Sequence, residues 1–266
     1  MRKYLTVFQI SWQNEFVYRL NFVLLRLRNV IRLLMTYFLW QGVFLTNQTV
    51  FGYNQSQITT YIFLVLAVQA LVLSAPSSDN IGSEIGSGDL SNYLVKPLGY
   101  LKYWFTRDVA SKLLNLLFAV FEVAILFFLF RPVITFPASP LAVIAFLVSA
   151  ILAMILYYFL SVSARFVAFW TPENTWGLAF VIIVIMETLG GSIFPLDVLP
   201  QPVYQLLQLT PFPYLIYLPI AIFSEKIVGL ELVWILLQSS LWVIIMYLLT
   251  KFIWKKGLVV YQASGR

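Results

Sequence analysis

The sequence contains no cysteine and no histidine, and only 11% of its 266 residues are charged. Each shortage excludes something. Without cysteine there is no disulfide framework, no thiolate chemistry and no cysteine-bound metal. Without histidine the commonest metal ligand and the commonest general base are missing. There is no G-x-x-x-x-G-K-[ST] run, so the chain does not cradle ATP phosphates itself. The first residues, Met1-Arg2-Lys3-Tyr4-Leu5, lack the short apolar core and small-residue site of a cleavable signal. What is abundant is apolar surface: 61% of residues are hydrophobic. A soluble domain carries roughly 45–50% apolar and roughly 25% charged residues. No soluble fold hides so much apolar surface, because even large domains leave much of theirs to water. The expectation is a single all-α integral membrane domain over residues 1–266, and not an enzyme.

The apolar runs are separated by short polar turns. Residues 1–30 mix Arg2, Lys3, Glu15, Arg19, Arg26 and Arg28 with apolar residues. Phe16, Leu20, Val23 and Leu24 fall at helical spacing, the pattern of an amphipathic helix lying in the membrane interface. Six spans follow, at about 31–45, 58–75, 103–130, 141–162, 177–194 and 232–253, each near the length that crosses a hydrocarbon layer. Residues 195–226 have a different texture. They hold Pro195, Pro200, Pro202, Pro211, Pro213 and Pro219, half of the chain's 12 prolines. The apolar pieces between them are too short to cross, so they are expected to form short outer or re-entrant helices packed on protein.

The net charge of +6 is better explained by one membrane face than by nucleic acid. With both termini in the cytoplasm, 15 of the 17 lysines and arginines fall on the inner side, leaving Arg131 and Lys226 outside. That orientation makes residues 79–100, between the second and third spans, a cytoplasmic loop. The stretch holds Asp79, Glu84, Asp89 and four glycines. Its acids do not follow the spacing of a calcium loop, and its glycines are followed by no phosphate-binding lysine. Ser87 or Asp89 is expected to cap a short helix with an apolar face of Leu90, Tyr93 and Leu94. Lys96-Pro97 ends it, since the residue before proline avoids helical geometry. Such a helix either docks in a groove of a partner or lies on the bilayer.

Two acids sit deep in apolar runs, Glu122 and Glu187. Intramembrane acids are costly and face a cavity or a partner group. They are candidates for a translocation path or for contacts with a neighbouring helix. Gly190-Gly191-Ser192, just after Glu187, suits close packing or a bend into the outer segment.

The pattern I-x-x-E-I-x-x-G-x-L-x-x-Y-L-x-K-P-L over residues 81–98 resembles the loop after the second span in permease subunits of type-2 ABC exporters. Phe194-Pro195-Leu196 with Pro200, and Pro211-Phe212 with Pro219, resemble that family's outer segment. The branch it is most similar to is described simply as ABC-2 family transporter proteins. The resemblance implies that Glu84, Ile85, Gly88, Asp89, Leu90, Tyr93, Leu94, Lys96 and Pro97 belong to a coupling helix that docks on an ATPase. It implies two ABC ATPase subunits carrying ATP and Mg, a second permease, identical or paralogous, and no cofactor bound by this chain. It also implies export of an amphiphilic substrate across a bacterial plasma (inner) membrane. An ion-coupled secondary transporter or channel using Glu122 or Glu187 is the alternative.

Overall fold

A computed structural model describes residues 2–17, 19–46, 48–74 and 78–262. The Pro76-Ser77 end of the second span, Asn47 and Arg266 lie outside the described residues, as do the side chains of Arg19, Leu20 and Asp79. The chain is an all-α membrane protein. Its helices are α1 (Arg2–Glu15), α2 (Arg19–Phe44), α3 (Gln55–Val72), α4 (Ser78–Gly86), α5 (Leu90–Leu94), α6 (Tyr100–Phe130), α7 (Pro140–Arg165), α8 (Thr175–Leu189), α9 (Gln201–Gln208), α10 (Tyr217–Phe223) and α11 (Gly229–Val260). The described strands are a two-residue pair, Thr49–Val50 with Tyr53–Asn54.

Among the described residues, four helices are long and apolar enough to cross a bilayer: α3, α6, α7 (continued to Phe169) and α11. The other two expected spans differ in kind. Helix α2 has 26 residues but carries Arg26, Arg28 and Arg32. Helix α8 has only 15. Residues 1–30 are not one interfacial helix. The helix of that region is α1, broken at Phe16-Val17, and the arginines beyond it belong to α2. Nothing between residues 19 and 41 interrupts the helix, because the first glycine is Gly42 and no proline intervenes.

The bundle has two ends. Helix α3 starts at one, where Asn54 closes a capping box with Gln57, and finishes at the other, beside α4. The hairpin end also gathers the 131–139 link and the 190–228 segment. The α4 end gathers α5, the 166–174 turns and the last turns of α11. Helix α3 is the most enclosed of the four long helices, and it packs on α2, α6 and α7. Its wet-sounding residues Thr59, Thr60 and Tyr61 are all buried. The longest helices, α6, α7 and α11, keep exposed stripes of Leu, Val and Phe, which is the surface a bilayer covers.

Candidate functional site

The α4 end is the richest in specific contacts. The glycine-rich stretch is helical rather than a loop. Ile81, Ile85 and Leu90 point from α4 and α5 into a core with Trp104, Val162, Phe166 and Phe169. The burial of two isoleucines at helical spacing outweighs the low helix propensity of Gly82 and Gly86. Leu90, expected on the face offered to a partner, has no exposed surface at all. Leu94 and Val95 are instead 46% and 84% exposed, with Lys96 and Pro97 exposed beside them. Neither Ser87 nor Asp89 caps α5 through its side chain. Asp89 is exposed and accepts from Ser87 Oγ at 2.6 Å.

Three tethers hold this segment. Tyr261, just past α11, donates to the Gly88 carbonyl at 2.5 Å and accepts from the Ser91 N–H at 3.1 Å. Gly88 makes that turn with φ +85°, a conformation natural to glycine. Lys3 of α1 donates to the Pro97 carbonyl, and Tyr4 Oη accepts from the Gly99 N–H. Tyr93 stacks edge-on against Tyr100, and Lys96 lies 4.9 Å above the Tyr93 ring. Glu84 accepts from Tyr100 Oη at 2.7 Å. Burial raises its carboxyl above the ordinary range, and the Tyr100 hydrogen bond offsets part of that.

A fourth tether was not legible from the sequence. Lys112, one of the lysines and arginines counted on the inner side, is fully buried. Its ammonium donates to the carbonyls of Val72 at 2.5 Å and Ser74 at 2.9 Å, the frayed end of α3. Asp108 lies 3.4 Å away, and the ring of Tyr157 on α7 is 4.8 Å distant. A cation on orphan C-terminal carbonyls suits both the hydrogen bonding and the helix dipole.

Glu122 and Glu187 are both paired with arginines of α2. Arg26 grips Glu122 through two nitrogens, one at 2.6 Å, and donates to Asn115. That pair is enclosed, with side chains 8% and 15% exposed. Arg32 meets Glu187 at 2.9 Å, but there the side chains are 38% and 31% exposed. Arg26, Arg32 and Lys112 therefore each have protein partners. The structure does not bring Glu122 and Glu187 into one site.

At the hairpin end Asp197, one residue after Leu196, joins three loops. It accepts from Tyr53 Oη at 2.7 Å and from Lys226 at 2.7 Å, and Lys226 also sits over the Tyr53 ring. Burial, then Asp197 itself, drives the Tyr53 hydroxyl well above its usual range. Phe194 packs with the α2–α3 hairpin, and Phe212 with the central core. Pro195 is buried, Pro200 precedes α9, Pro211 lies in the turn between α9 and α10, and Pro219 is buried in the first turn of α10, where its missing N–H costs nothing. Gly191, at φ +88°, lets this segment fold back. A Cβ there would lie 2.8 Å from Tyr217 Cβ and 2.9 Å from Tyr61 Oη.

The family model described as ABC-2 family transporter protein matches residues 30–265. The chain belongs to the ABC-2 transporter family. No curated protein and no solved structure matches it. The match runs from within α2 to past the end of α11, so the α4–α5 segment, the Arg32–Glu187 pair and the Asp197 hub belong to the family region of this ABC permease, whereas Arg26 lies before it. Only α1 and the start of α2 precede it.

Proposed function

We propose that this chain is the membrane subunit of an ATP-driven exporter, assembled with two ABC ATPase subunits and a second permease, identical or paralogous. ATP and Mg stay on the ATPases, and this subunit is not itself an enzyme. The observation that carries the reading is the segment 78–97. It is rooted in the core by Ile81, Ile85 and Leu90, and it offers Leu94, Val95 and Lys96 outward. A partner that grips this edge pulls on α1 through Lys3, on α11 through Tyr261, and on α6 through Tyr93 and Tyr100. Lys112 ties the end of α3 to α6 close by.

In this reading α2, α3, α6, α7, α8 and α11 provide six crossings, with the α4 end in the cytoplasm of a bacterial plasma membrane. The Arg26–Glu122 pair holds α2 to α6. The more open Arg32–Glu187 pair borders the path of an amphiphilic substrate. Both acids already have arginine partners, which gives no support to an ion-coupled carrier.

The test is reconstitution with the cognate ABC ATPase. Leu94→Asp combined with Val95→Asp should abolish co-purification and transport while the chain still inserts and keeps its thermal stability. A stable complex with full ATP-driven transport from that double variant refutes the docking edge. Leu90→Asp is unsuited to this test because Leu90 is a core residue.

A further inference from the structure

A second polar feature lies away from the α4 end, along the seam between α2 and α3. Asn29, Arg32 and Thr36 rise along one face of α2 at i, i+3 and i+7. Tyr61 and Gln69 face them from α3, eight residues or about 12 Å apart along the helix. Ser192, just after the Gly190-Gly191 bend, closes one side. These six residues line one narrow crevice of about 20 Å³ with apolar walls, enough for a single oxygen-sized group.

Within it, two groups are spent on the protein. Thr36 Oγ1 donates to the Arg32 carbonyl, and Tyr61 Oη donates to the Gly191 carbonyl. Two others are not. Gln69 Nε2 and Ser192 Oγ are enclosed and have no protein partner, although Ser192 is only 5% exposed. Buried donors are almost always paired, because leaving one unmade is costly. Two along one seam of a membrane bundle, flanking a half-exposed arginine, point to an acceptor that visits the crevice.

We propose that the α2–α3 seam is a head-group track: it takes one acceptor oxygen at a time from the head group of an anionic amphiphile, such as a phosphate or carboxylate, while the rest of the head group and the apolar tail stay outside. Ser192, Arg32, Asn29 and Gln69 supply the donors in sequence. The tail lies against exposed Ile193 and the apolar flank of α2 at Ile31 and Met35. Glu187, bonded to Arg32, keeps the track from holding an anion as a fixed counter-ion, so the head group is released as well as bound. Ser192 adjoins the bend where the Gly190 carbonyl accepts from the Tyr217 N–H, so a filled track is felt by the proline-rich segment.

The inference names a substrate contact for the transporter reading above, and its test needs no ATPase. The purified chain in a neutral detergent is titrated with dodecyl phosphate, and its melting temperature is followed. Dodecyltrimethylammonium provides the same tail with a cationic head and no acceptor oxygen. Wild-type protein should show a saturable rise with the phosphate and none with the ammonium. Gln69→Leu with Ser192→Ala should weaken half-saturation by at least about tenfold, the worth of one hydrogen bond to a charged group. Its unliganded melting temperature should be equal or higher, because unpaired buried donors are removed. Gln69→Glu, nearly the same shape, should abolish the response by charge repulsion. An equal response in wild type and variants, an equal response to both probes, or no response in wild type each overturns the track. Loss of ATPase docking with an intact phosphate response would sink the exporter reading alone.

Discussion

Replacing Lys112 with methionine isolates the tether between α3 and α6. Methionine matches the length of the lysine stem and keeps the contact with Tyr157, so little cavity forms. What is lost is specific. Two charge-assisted hydrogen bonds to the Val72 and Ser74 carbonyls disappear, each worth roughly 1.5–3 kcal/mol. Asp108, almost fully buried, loses the cation 3.4 Å from its Oδ2, an atom that makes no other hydrogen bond. Breaking a buried pair by removing one partner costs about 3–5 kcal/mol, and these losses overlap rather than add. Lys112→Met should therefore lower unfolding free energy by about 3–5 kcal/mol. Adding Asp108→Leu removes the stranded carboxylate, so the double variant should recover about 1–3 kcal/mol of that loss. The remainder belongs to the α3 carbonyls. Reversible unfolding in mixed micelles, followed by circular dichroism over the four proteins, gives the cycle directly. A Lys112→Met loss below about 1 kcal/mol, or strict additivity of the two substitutions, refutes the clamp.

Gly191→Ala should destabilise the chain by about 1–3 kcal/mol, from the left-handed φ and from crowding against Tyr217 and Tyr61. Gly42→Ala, which meets nothing within 4 Å, is the matched control in a thermal melt. Glu84 gives a pH signature. Its folded carboxyl titrates above the unfolded value of about 4.3. Its contribution is therefore fully present below that value and is lost as pH rises through the folded one. As pH rises above that unfolded value, wild-type stability should fall relative to Glu84→Gln, and parallel profiles would contradict this.

The long helices were readable because their signal is local. Helices α3, α6, α7 and α11 begin and end within a few residues of the expected spans in nearly every case, since twenty apolar residues need no tertiary information. Helix α2 begins earlier than the expected first span because charge was taken as a boundary. Arg26 and Arg32 are tolerated inside α2 because Glu122 and Glu187 arrive from helices 96 and 155 positions away. Spacing along the chain carries no trace of such pairs. The burial of Lys112 is illegible for the same reason, its acceptors being carbonyls that any residue has. At residues 79–100 the motif was visible, but Leu90 and Leu94 were expected on one outward face, whereas Leu90 points inward and Leu94 outward. Leu90 and Leu94 are one helical turn apart and equally apolar. Only the arrival of Trp104, Phe166 and Phe169 decides which of them is buried.

The tethers at Gly88 and Pro97 have a topological consequence. Lys3 lies near one end of the described chain and Tyr261 near the other, and both hold the same short segment. Everything between them must leave that end of the bundle and come back to it. The two ends and the segment close into one knot of backbone. A pair of reporters placed at Lys3 and Tyr261 therefore keeps a fixed separation unless the segment between them lets go.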